Sequence, residues 1–170
     1  MTNGWQGVVA EQVLRIQRDL ESTLDGLDAA LLDRAPRAGA NTIGWLAWHL
    51  TRSHDRNVSE LRGAPQLWIA ERWYERFGRA PDPGETGFGH TPQQLAAFRT
   101  PSADELIAYH AVVVEMVLAY LRDTPDGDLT RVVTSPTLGD TRTVQQRLVG
   151  VLAEGLQHVG QMAYLRGLLT

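Results

Sequence analysis

Apolar residues recur every three or four positions in four stretches of this 170-residue sequence. This spacing is typical of amphipathic helices that bury one face. The second stretch begins at a capping residue, Asn41 or Thr42, and extends to about Arg62. The first stretch predicts a helix whose apolar stripe is formed by Val9, Val13, Ile16, Leu20, Leu24 and Leu27.

Two capping-box patterns mark where the third and fourth helices start. Ser102 with Glu105 opens the third helix, and Thr143 with Gln146 opens the fourth, which runs nearly to the C-terminus. The segment RVVTSPTLGDTR between them predicts a hairpin or an extended loop. The stripe of the third helix consists of Leu106, His110, Val113, Val114, Val117 and Leu121.

The helical pattern is interrupted from Gly63 to Thr100, where proline and glycine are frequent. Within this interruption, Thr91 followed by Pro92 and Gln94 predicts one capped helical turn. We therefore predict an all-α fold, a four-helix bundle with a long crossover between helices 2 and 3. Residues 1–170 are expected to form a single domain.

Composition excludes several classes of function. The chain has no cysteine, so it cannot form disulfides or supply a thiolate itself. Its 16 basic and 20 acidic residues include no basic block of the kind that binds nucleic acid. No signal peptide and no run of about 18 apolar residues is evident, so we expect a cytoplasmic protein without a membrane span.

Glu154 and His158 lie four residues apart in the fourth helix. At about 100° per residue they are about 40° apart on the helix surface, so both side chains can reach one metal ion. Helix 2 offers two histidines as a third ligand. The helical wheel centres His54 on the apolar stripe and places His49 on a flank, which slightly favours His54. Burial in the core is nevertheless the favoured explanation of His54, and the spacing alone leaves the third ligand undecided.

The other histidines have structural explanations. His110 faces inward on helix 3, as a core residue or a pocket wall, and His90 lies in a loop that caps a turn or lines the mouth of a cavity. A structural metal site would need a fourth protein ligand, for which His54 and Asp55 are candidates.

Three segments carry a resemblance: NTIGWLAWHLTRSHDRNVSELRGAPQLW, TGFGHTPQQLAAFR and EGLQHVGQMAYLRG. Their order and spacing resemble the DinB-like superfamily over nearly the whole chain, in particular its actinobacterial-type branch. The resemblance implies a four-helix bundle with a divalent metal between helices. It assigns the ligands to His49, in place of His54, and to Glu154 and His158.

Glutamate at position 154 departs from the two histidines that many family members carry there. The departure is chemically mild, because mycothiol-dependent maleylpyruvate isomerase, a relative, uses a His/Glu/His set. Such a set suits zinc, nickel or iron(II). Other relatives are bacillithiol S-transferases, so the resemblance implies a metal-dependent thiol S-transferase or isomerase with a low-molecular-weight thiol cosubstrate and a small-molecule substrate.

Two alternatives remain open, a metal-dependent hydrolase and a non-enzymatic bundle that binds a small molecule or a partner. Gln161 is expected to orient a group beside the metal, and Arg166 either meets an anionic substrate or completes the helix dipole. We also expect a homodimer, because Trp5, Trp68 and Trp73 lie outside the four stripes. Plain packing is the favoured explanation of four tryptophans, and walls of the cavity are the alternative: Trp45, Trp48, Trp68 and Trp73.

Overall fold

The computed structural model describes residues 4–170, and these residues are predominantly helical, as predicted. A 3-10 helix, Asp126–Thr130, precedes two short strands, β1 (Val132–Thr134) and β2 (Thr141–Thr143). The α-helices in this part of the chain are α1 (Trp5–Leu24), α2 (Ala29–Leu32), α3 (Ile43–Arg62), α4 (Leu67–Ala70), α5 (Trp73–Arg76), α6 (Pro92–Ala97), α7 (Ala103–Asp123) and α8 (Val144–Leu169).

The four long helices are those that the apolar stripes predict. Helix α1 packs against α7 and α8, and α3 packs against the same two helices. Their apolar faces leave water together, which supplies the main driving force for this arrangement. The fully buried side chains include Val13, Ile16, Leu20, Leu46, Leu50, Val113, Val117 and Met162.

Capping determines where α3 and α8 begin. The Thr42 hydroxyl accepts a hydrogen bond from the Trp45 amide at 3.1 Å. Thr143 and Gln146 form the predicted capping box, each side chain accepting from the other residue's amide. Gly63, whose φ is 64°, ends α3 in the left-handed conformation that glycine adopts readily. These caps fix the ends of α3 and the start of α8, and therefore which residues of the two helices face each other.

The crossover from α3 to α7 contains the short helices α4, α5 and α6 and is fastened by Asp55. Its carboxylate accepts from the amides of Leu67 at 2.9 Å and Trp68 at 2.8 Å. It also accepts from the Tyr109 hydroxyl at 2.7 Å and lies 3.4 Å from the buried Arg52 guanidinium. Asp55 therefore caps α4 and neutralises Arg52, and its oxygens are engaged away from the residues predicted to bind metal.

The segment between α7 and α8 forms the hairpin that was one of its two predicted conformations. Strands β1 and β2 are antiparallel, with Val132 opposite Thr143. Because α8 starts directly after β2, the turn of the hairpin lies beside the first turns of α8. Asp140 in this turn binds Arg147 of α8 at 2.6 Å.

The tryptophans correct one expectation. Trp68 is fully buried and Trp73 is 5% exposed, so neither supplies apolar surface for a partner chain. Both pack inside the fold, where Trp68 contacts Phe77 and Trp73 stacks on Tyr109. The homodimer stays a prediction without that support. Within residues 4–170, no helix combines the length and the apolar character that crossing a membrane requires.

Candidate metal centre

Three side chains from α3 and α8 converge at the contact between these helices. His49 Nε2 lies 3.0 Å from Glu154 Oε1, and His158 Nε2 lies 3.9 Å from the same oxygen. One ligand atom from each of the three residues falls within 4.8 Å of the others. The group is therefore compact enough for a single ion, and it unites the residues that the resemblance implies.

The ring of His49 is oriented from behind. Its Nδ1 donates to the carbonyl oxygen of Thr86, and Trp45 stacks on the ring at 4.6 Å between centroids with an interplanar angle of 14°. Since Nδ1 must carry the proton of that hydrogen bond, Nε2 is the atom presented to Glu154. A backbone carbonyl on the remote nitrogen is the usual support for a metal-binding histidine.

A close approach of the loop to α3 places that carbonyl. Gly87 has a φ of 84°, and a Cβ there would lie 2.8 Å from Trp48 Cζ3. Only glycine therefore lets the loop backbone lie on the tryptophan. Its amide donates to Glu85 Oε1 at 3.1 Å. This contact shapes the turn that presents Thr86 to His49.

His90 supports the same loop from inside and is not a cavity wall. Its Nδ1 accepts from Trp45 Nε1 at 3.1 Å, and its Nε2 lies 3.0 Å from Glu85 Oε1. Trp48, for which a cavity wall was the alternative to packing, is fully buried against Phe98. His90 and both tryptophans thus lie behind His49, where they position its ring.

His158 is held in the same way on the opposite helix. Its Nδ1 lies 2.9 Å from Gln161 Oε1, which leaves Nε2 toward Glu154. Burial, assisted by the nearby His49, lowers the pKa of His158 below its usual value, although Gln161 and Glu154 oppose the shift. The neutral imidazole is therefore favoured, and this is the form that binds metal.

Glu154 is ionised. Burial alone would raise the pKa of its carboxyl, but its contacts with His49 and Ser53 outweigh burial and keep that pKa below its usual range. The Ser53 hydroxyl donates to Oε2, so Oε1 is the oxygen that faces both histidines. Ser53 is four residues after His49, and a helical wheel that started from His49 would have found it.

His54 and His110 lie in the core. His54 is fully buried and its Nε2 donates to the carbonyl oxygen of Val151 at 3.0 Å. His110 is 1% exposed and its Nδ1 lies 3.0 Å from Thr51 Oγ1. Burial lowers the pKa of His54 to about 4 and that of His110 to about 3, so both rings are neutral. Neither belongs to the converging group.

Arg166 corrects another expectation. Its guanidinium donates to the carbonyl oxygens of Ser22 at 2.9 Å and Thr23 at 2.7 Å, in the last turn of α1. It is eight residues beyond His158, about 12 Å along the helix axis. Arg166 therefore caps α1 and joins it to α8. It is not placed to meet a substrate at the converging group.

A cavity of about 290 Å³ opens beside His49 and Glu154. The two helices form its floor, and the loop before α6 and the hairpin turn form its sides. Sequence reasoning missed the polar residues of this cavity, since three of them lie on α3 and α8 without any distinguishing pattern and the other two come from the hairpin. The polar side chains added by the structure include Arg56, Asn57, Asp140, Arg142 and Arg147.

The residues fit a divalent cation. Two imidazoles with their Nδ1 atoms engaged by carbonyl oxygens and one ionised carboxylate form a nitrogen and oxygen donor set. That donor set is suitable for zinc, nickel or iron(II). Among residues 4–170 the group has three members, and His54 and Asp55, the candidates for a fourth, are bound elsewhere.

Comparisons with known proteins agree with this architecture. The chain is similar to a solved crystal structure described as the conserved protein of a locus from Enterococcus faecalis, with 27% identity and a TM-score of 0.87. The similarity covers 99% of this chain and 98% of the other. No curated protein matches the sequence. A model of the DinB superfamily matches residues 12–162, which is most of the sequence. The chain belongs to the DinB superfamily.

Proposed function

We propose that this protein is a metal-dependent enzyme of the thiol S-transferase or isomerase type. In this proposal the four long helices form a bundle that holds one zinc, nickel or iron ion between α3 and α8. The observation that carries it is the convergence of His49, Glu154 and His158 beside a cavity. A small-molecule electrophile is the proposed substrate.

When bound, a divalent ion supplies the positive charge that lowers the pKa of a coordinated thiol. The protein contributes the geometry. Thr86 and Gln161 keep the Nε2 atoms of the two histidines turned toward Glu154, and Ser53 leaves one carboxylate oxygen free for the ion. The chain has no cysteine, so a cosubstrate must supply the sulfur.

A catalytic metal site differs from a structural one in keeping positions open to substrate. The group has three protein donors, and both residues that the sequence offered as a fourth are engaged in the core. Glu154 retains 27% side-chain exposure and lines the cavity with His49. This openness favours chemistry over a purely structural ion.

Cobalt(II) substitution tests the proposal. Adding mycothiol, bacillithiol or a surrogate thiol to the cobalt protein should produce a sulfur-to-cobalt charge-transfer band. The loaded protein should then accelerate attack of the thiol on monochlorobimane, in which a carbon–sulfur bond forms, chloride leaves and the thiol proton goes to solvent.

The His158→Ala protein should show neither the band nor the acceleration, and Arg15→Gln, which alters an exposed residue of α1, should show both. A fully metallated protein without band or acceleration would contradict the thiol chemistry. Metal-dependent cleavage of activated esters in that protein would instead indicate a hydrolase.

A further inference from the structure

One buried cation of the cavity beside the converging group has no ion-pair partner among the described residues, 4–170. Arg56 of α3 lines the cavity and is 8% exposed, yet it forms no ion pair within residues 4–170. Its Nε is buried without a hydrogen-bond acceptor. Burial lowers the pKa of this guanidinium, against the pull of Glu60 and Glu154. Burying a charge without an ion pair costs free energy, and an anion that entered the cavity beside Arg56 would reduce that cost.

The other two arginines of the cavity are both paired with Asp140. Arg147 lies 2.6 Å from one oxygen of Asp140, and Arg142 lies 2.6 Å from the other. Arg147 also donates to Asn57 Oδ1 at 3.2 Å. Three arginines therefore share the cavity with two carboxylates, of which Asp140 serves two arginines and Glu154 serves the histidines. Arg56 is the cation left over in this part of the structure.

The position of Arg56 relates this excess charge to the converging group. It is seven residues after His49, so both side chains project from the same face of α3 with about 10 Å between their backbone positions. Long helical side chains lean toward the helix N-terminus, which for Arg56 is the direction of His49. A short molecule can therefore reach both.

We propose that Arg56 binds a carboxylate of the thiol cosubstrate or of the electrophile while another group of that molecule lies at His49, Glu154 and His158. This inference rests on the proposed function for the group that lies at the metal site. The anion-binding part depends on Arg56 alone. A single planar guanidinium matches a single carboxylate through two parallel hydrogen bonds. A phosphate dianion would need further donors, and Arg142 and Arg147 are held by Asp140.

Matched ligands test the anion site. On the zinc-loaded protein, calorimetry should show that 3-mercaptopropionate binds about tenfold or more tightly than its neutral amide, because a charge-assisted pair is lost in the amide. Succinate should likewise bind more tightly than succinamate, and this second pair of ligands contains no thiol. The first pair also reports on the cobalt charge-transfer band, and the second does not depend on thiol chemistry.

Variants locate the effect. Arg56→Gln should abolish the preference for the carboxylate in both ligand pairs while metal content and helical circular dichroism stay unchanged. Arg56→Lys keeps the positive charge but loses the planar guanidinium, so it should retain part of the preference. This variant still tests the site if Arg56→Gln does not fold. Arg15→Gln removes one exposed arginine from α1 and should leave both preferences intact.

The outcomes separate the two proposals. A preference for succinate that Arg56→Gln abolishes, without any sulfur-to-cobalt band, supports the anion site and contradicts the thiol chemistry. The opposite result is a charge-transfer band that is equally strong with the mercapto acid and with its amide, both in wild type and in Arg56→Gln. That result supports the thiol chemistry and overturns the anion site. Tighter, Arg56-dependent binding of inorganic phosphate than of succinate would overturn the carboxylate assignment.

Discussion

The Nε2 atom of His49 lies 3.0 Å from the Oε1 atom of Glu154, across the contact between α3 and α8. The two residues are 105 positions apart in the chain, and each is oriented by a neighbour, Thr86 on one side and Ser53 on the other. A ring nitrogen and a carboxylate oxygen held this closely need a proton or a cation between them.

Removing any one member of the group should remove the metal. Untagged wild-type protein should carry about one divalent ion per chain after gel filtration, measured by elemental analysis. His49→Ala, Glu154→Ala and His158→Ala should each carry almost none, since two remaining donors do not hold an ion against dilution. Arg15→Gln, at an exposed position of α1, is the control and should keep its ion. An unchanged ion count in all three alanine variants would place the site elsewhere.

Gln161→Leu should weaken metal binding without abolishing it. Its amide oxygen lies 2.9 Å from His158 Nδ1, and losing such a support typically lowers metal affinity about 10- to 100-fold. Competition with a chromophoric chelator measures the affinity. Gln157→Leu, on an exposed neighbouring position of α8, serves as the control. Equal affinities in the two variants would mean that Gln161 does not orient the ring.

Two glycines of α8 should respond in opposite ways to alanine. A Cβ at Gly155 would lie 2.7 Å from Ile16 Cδ1 and 3.0 Å from His54 Nε2, both in the core. Gly155→Ala should therefore lower the free energy of unfolding by about 1–3 kcal/mol. Gly160 has open space around its Cβ position, so Gly160→Ala should raise it by about 0.5–1 kcal/mol. Urea denaturation of both variants distinguishes packing from helix propensity.

Asp55→Ala should be strongly destabilising. The substitution leaves the fully buried Arg52 without its carboxylate and the amides of Leu67 and Trp68 without their acceptor. Removing one partner of a buried pair costs about 3–5 kcal/mol. By contrast, Asp19→Ala breaks an exposed pair with Arg15 and should cost at most about 1 kcal/mol. Similar losses for the two variants would contradict the role given to Asp55.

Acid should destabilise the metal-free protein partly through its two core histidines. Unfolded, His54 and His110 have a pKa near 6.5, but in the fold burial lowers these values to about 4 and about 3. Between these limits the unfolded chain binds more protons, so stability falls as pH falls below 6.5, by about 1.4 kcal/mol per pH unit for each histidine. His110→Asn should show a shallower loss in urea denaturation between pH 6.5 and pH 4. Parallel curves for variant and wild type would contradict this assignment.

The local features of the fold were predictable because they depend on neighbouring residues. Apolar spacing identified the four long helices, and Thr42, Thr91, Ser102 and Thr143 marked helix starts through side-chain hydrogen bonds that span three residues. The short helices α2, α4 and α5 were missed. The last two depend on contacts such as the capping of α4 by Asp55, which lies 12 residues before Leu67.

The sequence by itself determined that α8 presents Glu154 and His158 on one side, since the helix repeat alone brings residues four apart together. The residue pattern left open which histidine of α3 joins them, the family resemblance implied His49, and the tertiary structure brings His49 to the pair. The helical wheel identified His54 as the inward residue, and His54 is indeed buried, but a wheel reports burial and not the direction of a partner helix. The tertiary structure also decided that Arg56 has no ion-pair partner among residues 4–170, because part of the cavity around it comes from α8 and the hairpin. The balance of charge in a cavity depends on residues that are distant in the chain.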